Sequence, residues 1–346
     1  MFFQYHLRQR EADGTRPVIV GGITIEKWNP DELEEVMQKY GVLDSTVSEM
    51  TAEIEKMFPP TTDASITKAV ADYTGVIDTH YSYFRFPSLI KKYPNAAVMG
   101  TESYARTSDL IKEIMDEHPE VIGDFVWTCW DHIGEAGLGR CVLVPKEEEE
   151  KYNNVFGMMD IMVKTEYPYR LSNCADFDIN GVPTVQGIYR KIVWGDESTC
   201  IAVQPPAYHD LAEIKMLGFS RTEEKQSWNF EGEEGKPIRV NVYSGAEWVE
   251  LFLNEKSPGR KPAGKKARYC ASFELEYEPG ILTAVSSTGR KEVSRSTIET
   301  TGKAVKIKAV PENTQAKAGV KALGGKSHKG QLGSPCDFIC RNLATG

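Results

Sequence analysis

Glu102 has the strongest claim to chemistry in this sequence. It ends the apolar run Ala96–Glu102 (AAVMGTE), directly after Gly100-Thr101. A carboxylate at the carboxyl end of a strand can act as nucleophile, base or metal ligand. An ordinary loop carboxylate would also fit that position. Trp127 and Trp130 follow another apolar run, in FVWTCWD. Their flat faces suit the apolar face of a sugar ring, although large aromatics more often close a core. His80 and Tyr81 end a third run, in VIDTHYSY. A tyrosine hydroxyl beside a nucleophilic carboxylate would hold it oriented and ionised. Among the other carboxylates, Asp124, Asp131, Glu135 and Asp176, only Asp131 follows a strand end closely enough to be a site candidate.

Other chemistries find little support. His118, His132 and His209 have no ligand-like spacing with each other or with the cysteines, and Cys336-x3-Cys340 lacks histidines at finger spacing. No metal site and no cofactor are therefore expected. The run Gly134–Gly139 lacks the lysine of a phosphate loop, and no GxSxG elbow occurs.

The elements that must position these residues alternate in type. Strand-like runs at Pro17–Ile23, Gly75–Tyr83, Ala96–Glu102 and Val121–Thr128 are separated by helical patterns. One helix begins with Asn29 as cap and Pro30 at its first position. A second lies near Val47–Phe58, before Pro59-Pro60. A third spans Ser108–Glu117, with Leu110, Ile111, Ile114 and Met115 on one face and Pro119 as its stop. Strands separated by helices argue for βα units around a parallel sheet, whose active sites lie at the carboxyl ends of the strands.

From Pro237 the period changes to two. Ile238, Val240 and Val242 alternate with polar residues, as do Val249, Leu251 and Leu253. Asn254-Glu255-Lys256 reads as a hairpin turn. Tyr269, Ala271, Phe273, Leu275 and Tyr277 form the longest alternation, Leu282–Val285 follows, and Val305 with Ile307 gives a last strand. Short strands at regular spacing predict an antiparallel β-sandwich. Residues 201–235 read as a linker, and 313–346 as an irregular tail without periodicity.

The 346 residues carry 41 Lys and Arg against 50 Asp and Glu, a net charge of −9. That argues against a nucleic-acid partner. No run of 18 apolar residues occurs, so no membrane span is expected. Seven cysteines without a CxxC pair suggest a reduced, cytoplasmic setting.

The segments together resemble glycoside hydrolase family 2 β-galactosidases. HPEVIGDFVWTCWDHIGEAGLGR (His118 to Arg140) is similar to that family's last barrel strand and the loop after it. VMGTESY (Val98 to Tyr104) resembles the segment carrying its nucleophile, and TRPVIVGGI its fifth barrel strand. YPYRLSNCADFDINGVP and YRKIVWG resemble a stretch that closes the barrel in one bacterial subgroup. VYSGAEWVELFLNEKSPGR and FELEYEPGILTAV resemble the immunoglobulin-like domain that follows.

The resemblance implies the C-terminal half of a TIM barrel over residues 1–200, with an immunoglobulin-like β-sandwich over 236–312. It implies a retaining mechanism with Glu102 as nucleophile, Tyr81 orienting it and Trp127 as platform for the substrate, a β-galactoside; His80 and Asp131 are expected on the substrate from their strand-end positions. Three departures stand out. His80 replaces an asparagine, and Thr184 a lysine. The acid/base glutamate, an Asn-Glu pair at the end of the fourth strand, has no counterpart, because Asn254-Glu255 lies in the sandwich hairpin. General acid catalysis is typically worth about 10²–10⁴-fold, so the chain alone is expected to be a weak or inactive fragment. It would act as a homo-oligomer or with a complementing N-terminal half. The competing expectation is a non-catalytic carbohydrate-binding or assembly module that contacts sugar through Trp127, Trp130 and Trp248.

Overall fold

The computed structural model describes residues 64–152, 169–214 and 223–302, together with Ile19. The strand expected at Pro17–Ile23 (Ile19 apart), the helices after Asn29 and near Val47–Phe58, the strand at Val305 and Ile307, and the tail lie outside the described residues.

The chain forms two compact units. In the first, α1 (Ala64–Thr74), β1 (Val76–His80), α2 (Phe86–Lys92), β2 (Ala97–Ser103), α3 (Ser108–Glu117) and β3 (Val121–Val126) follow one another. The three strands are parallel in the order β1-β2-β3. The expected βα alternation is present here. Ile77, Val98 and Val121 from the strands pack on Leu89, Leu110, Ile111 and Ile114 from the helices. Each fully buried aliphatic side chain contributes about 1.5–3 kcal/mol, so this interface orients the strands. The α3 stripe explains its register: the adjacent Leu110 and Ile111 are buried, and each lies about one helical turn from the buried Ile114. Gly75 ends α1 with a φ of 73°, and its N–H bonds the carbonyl of Ala71. The Glu147–Glu150 run follows the short strand β4 (Leu143–Pro145) and continues into a helical turn, α4 (Glu149–Tyr152).

The second unit holds α5 (Val185–Val193), β5 (Thr199–Gln204) and a β-sandwich. One sheet has the order β10-β7-β5, from Cys270–Glu276 (β10), Pro237–Ser244 (β7) and β5. The other has the order β12-β11-β8-β9, from Lys291–Glu299 (β12), Ile281–Thr288 (β11), Trp248–Leu253 (β8) and Lys256–Pro262 (β9). All neighbours are antiparallel. The alternating residues read from sequence supply the core: Ile238, Val240, Val242, Val249, Leu251, Ala271, Phe273, Leu282 and Ala284. The remaining short strand, β6 (Leu211–Glu213), belongs to the first unit and pairs with β4.

The linker reading of 201–235 is corrected at both ends. β5 pairs along its length with β7, and Ile201 and Val203 lie in the core. TCIAVQ is buried on both faces, so it lacks the period-two alternation that marks a half-exposed strand. Trp228 is fully buried in the same core and donates its indole N–H to the carbonyl of Glu278 at 3.0 Å. β9 and β12 were also illegible. Both are edge strands, and KSPGRKP has no apolar residue to betray it.

α5 begins at Thr184, whose hydroxyl accepts from the N–H of Gly187. Among the described residues, no helix is long and apolar enough to cross a membrane.

Candidate active site

Three parallel strands bring His80-Tyr81, Glu102 and Trp127 to the same end of one sheet. His80 is the register partner of Glu102. The Tyr81 N–H bonds the Glu102 carbonyl at 2.7 Å, and the Trp127 N–H bonds the Ser103 carbonyl at 2.9 Å. The peptide bond Trp127–Thr128 is cis.

Tyr81 leaves β1 with a φ of 51°, a left-handed conformation that is unusual for a bulky residue. This turn sends its ring toward β2. The hydroxyl donates to Glu102 Oε2 at 2.7 Å. Tyr104 stacks on the Tyr81 ring, with centroids 4.4 Å apart. Burial, then the hydrogen bond to Glu102 and its charge, pushes the Tyr81 phenol far above its ordinary range. Burial also pushes Tyr104 up, to about 12. Tyr81 therefore keeps its proton and is the donor in this bond.

The other carboxylate oxygen, Oε1, lies 3.5 Å from Nδ1 of His80. The Glu102 side chain keeps 28% of its exposure, and His80 keeps 34%. One oxygen is tied down and the other faces an accessible neighbourhood beside an imidazole. A fixed, reachable carboxylate of this kind can attack an electrophilic carbon.

Asp131 belongs to the second unit. Its N–H bonds the carbonyl of Phe177, and its buried carboxylate accepts from the N–H of His132. Trp130 is half-exposed, stacks on Phe177 at 5.8 Å and covers Gly181. Asp176 is buried and pairs with Arg190 at 2.8 Å, a structural role. Among the described residues, no three His, Cys, Asp or Glu side chains gather as a metal site.

Sequence reading passed over Tyr104, Asp78 and Arg106. Tyr104 was visible only as an aromatic two places after Glu102. Asp78 looked like one polar residue in a strand, yet it is 1% exposed and accepts from the Thr101 hydroxyl at 3.0 Å. Arg106 pairs with Glu213, tying the loop after β2 to β6, a contact across more than 100 residues that no local pattern reveals.

Comparison with known proteins places this geometry in context. Residues 235–294 match a domain of unknown function (DUF4982). A Formosa agariphila protein named putative beta-glucuronidase is 26% identical over 197 residues, 57% of this chain and 15% of that protein. A solved glycosyl hydrolase family 2 member from Bacteroides cellulosilyticus aligns at 27% identity with a TM-score of 0.62. That match covers 83% of this chain and 35% of the other. A second such structure, from Bacteroides cellulosilyticus DSM 14838, shows the same fold at 24% identity and a TM-score of 0.55, over 84% of this chain and 34% of the other. The chain thus spans about a third of the length of these solved relatives. The chain shares the fold of these glycoside hydrolase family 2 members, and the likenesses support a relationship to that family.

Proposed function

We propose that this chain carries the nucleophile side of a retaining β-glycosidase site. The observation that carries the reading is the 2.7 Å hydrogen bond from Tyr81 to Glu102 at the carboxyl end of parallel strands. In this reading the strands β1 to β3 are the closing strands of a TIM barrel, and the sandwich is immunoglobulin-like. Glu102 Oε1 attacks the anomeric carbon while Tyr81 holds Oε2. Trp127 offers a platform for the sugar, and His80 contacts its hydroxyls. A complementing N-terminal segment supplies the acid/base carboxylate.

The substrate class is a terminal β-galactosyl bond, from the motif resemblance. The name of the Formosa agariphila relative favours a β-glucuronosyl bond as the second reading. The activated glycoside dinitrophenyl deoxyfluoro-β-galactoside separates the two from its glucuronide counterpart. Dinitrophenolate leaves with the electron pair of the broken C–O bond and needs no proton. The first step therefore runs without an acid/base residue, and the fluorine slows hydrolysis of the ester that forms. Intact-mass analysis should show one added fluoroglycosyl group, mapped to Glu102 and absent in Glu102→Gln. No adduct from either sugar, or an adduct elsewhere, overturns the reading.

A further inference from the structure

Strict alternation would aim Glu102 the wrong way. Val98 is buried in the core shared with the helices, and Gly100 faces Phe86 at the start of α2. Two residues on, Glu102 would point into the same helix-facing layer. It points instead to Tyr81 and His80.

The register shows why. Against β1, Gly100 pairs with Thr79 and Glu102 with His80, so Thr101 is an extra residue. Against β3, Gly100 pairs with Asp124 and Ser103 with Val126, so β2 again carries one residue too many. One extra residue reverses the phase of everything after it. The bulge puts Glu102 on the face opposite the helices.

A bulge gives up ladder hydrogen bonds, and two side-chain bonds replace them here. The Thr101 hydroxyl donates to Asp78 Oδ2 on β1 at 3.0 Å, and the Ser103 hydroxyl donates to Asp124 Oδ2 on β3 at 3.0 Å. Asp124 uses the space that Gly100 leaves, since a Cβ there would lie 2.8 Å from its Oδ1. The residues on either side of Glu102 are thus each tied to a carboxylate of a neighbouring strand.

We propose that Asp78 and Asp124 are positioning residues, which hold β2 in its bulged register and so aim Glu102 at its substrate. The proposal rests on the reading of Glu102 as nucleophile. The experiment measures labelling by the dinitrophenyl deoxyfluoro-glycoside that reacts with the parent chain, separating its maximal rate from its half-saturating concentration. Thr101→Val should lower the maximal rate by about 10–100-fold, the scale of a misplaced reacting group, and leave half-saturation unchanged. Thr101→Ser keeps the hydroxyl and should label like the parent. Ser103→Ala tests the Asp124 side in the same way and serves if Thr101→Val does not fold.

A crystal structure of Thr101→Val, or of Ser103→Ala in its place, supplies a readout independent of chemistry, with the Tyr81–Glu102 hydrogen bond expected to be lost. Unchanged labelling rates in these variants, or retention of that bond, overturns the proposal. Failure of the parent chain itself to label overturns the nucleophile reading, while the crystallographic result still decides the role of the bulge.

Discussion

Tyr81→Phe removes one hydroxyl and leaves the ring stacked on Tyr104. The lost contact is a 2.7 Å hydrogen bond to a carboxylate that is mostly buried. Hydrogen bonds to charged groups are worth about 1.5–3 kcal/mol. If that energy orients Glu102 in the transition state, its loss lowers the labelling rate by about 10–150-fold, at about 1.4 kcal/mol per factor of ten. Sugar contacts are untouched, so half-saturation should stay constant. The pH dependence adds a sign. The Tyr81 phenol is pushed far above its ordinary range, so it keeps its proton across neutral and moderately alkaline pH. The parent chain should therefore show no loss of labelling from Tyr81 ionisation up to pH about 10, the ordinary phenol value. The assay is intact-mass kinetics over a pH series, with circular dichroism to verify folding. A Tyr81→Phe chain that labels at the parent rate would refute the argument that this hydroxyl positions the nucleophile.

Three further predictions concern the frame. Asn254 and Glu255 turn the β8–β9 hairpin with φ of 48° and 66°, and a left-handed residue with a Cβ costs about 1–2 kcal/mol. After the entropy glycine adds to the unfolded chain, Glu255→Gly should stabilise the sandwich by about 0.5–1 kcal/mol, seen as a higher midpoint in urea. An unchanged or lower midpoint counts against the turn assignment. A Cβ on Gly187 would lie 2.1 Å from the carbonyl oxygen of Asp176, so Gly187→Ala should destabilise by about 1–3 kcal/mol or more in the same assay. Burial, with the charge of Glu224 adding to it, pushes Cys200 and Cys270 up to about 12. Their folded values exceed the unfolded value near 9, so their contribution is complete below pH about 9 and is lost as pH rises toward 12. At pH 8 iodoacetamide should modify the exposed Cys129 well before either of them, as peptide mapping would show.

The fold was legible where burial is one-sided. The stripe of α3 and the alternating strands β7, β8, β10 and β11 each present one apolar face, and that face is what a periodic pattern records. β5 escaped because both its faces are covered, and β9 and β12 escaped because edge strands carry polar residues against unwanted pairing. Trp228 escaped because a single aromatic in an irregular segment has no period. It is held by long-range partners, including its bond to Glu278, 50 residues away.

The site was legible in type and illegible in direction. Glu102, Tyr81 and His80 could be named from strand ends and from resemblance. Alternation counted from Val98, however, would have turned Glu102 toward the helices. What reverses it is a bulge fixed by partners 21 and 23 residues away, Asp124 for Ser103 and Asp78 for Thr101. Neither aspartate stands out locally, because a lone polar residue in an apolar strand has no periodic signature. Gly100 was the available hint. A glycine inside a strand weakens it unless something needs the space, and here that something is the Asp124 carboxylate. Read together, Gly100, Thr101 and Ser103 around Glu102 form one statement: a strand that gives up regular pairing at the point where its carboxylate must change face.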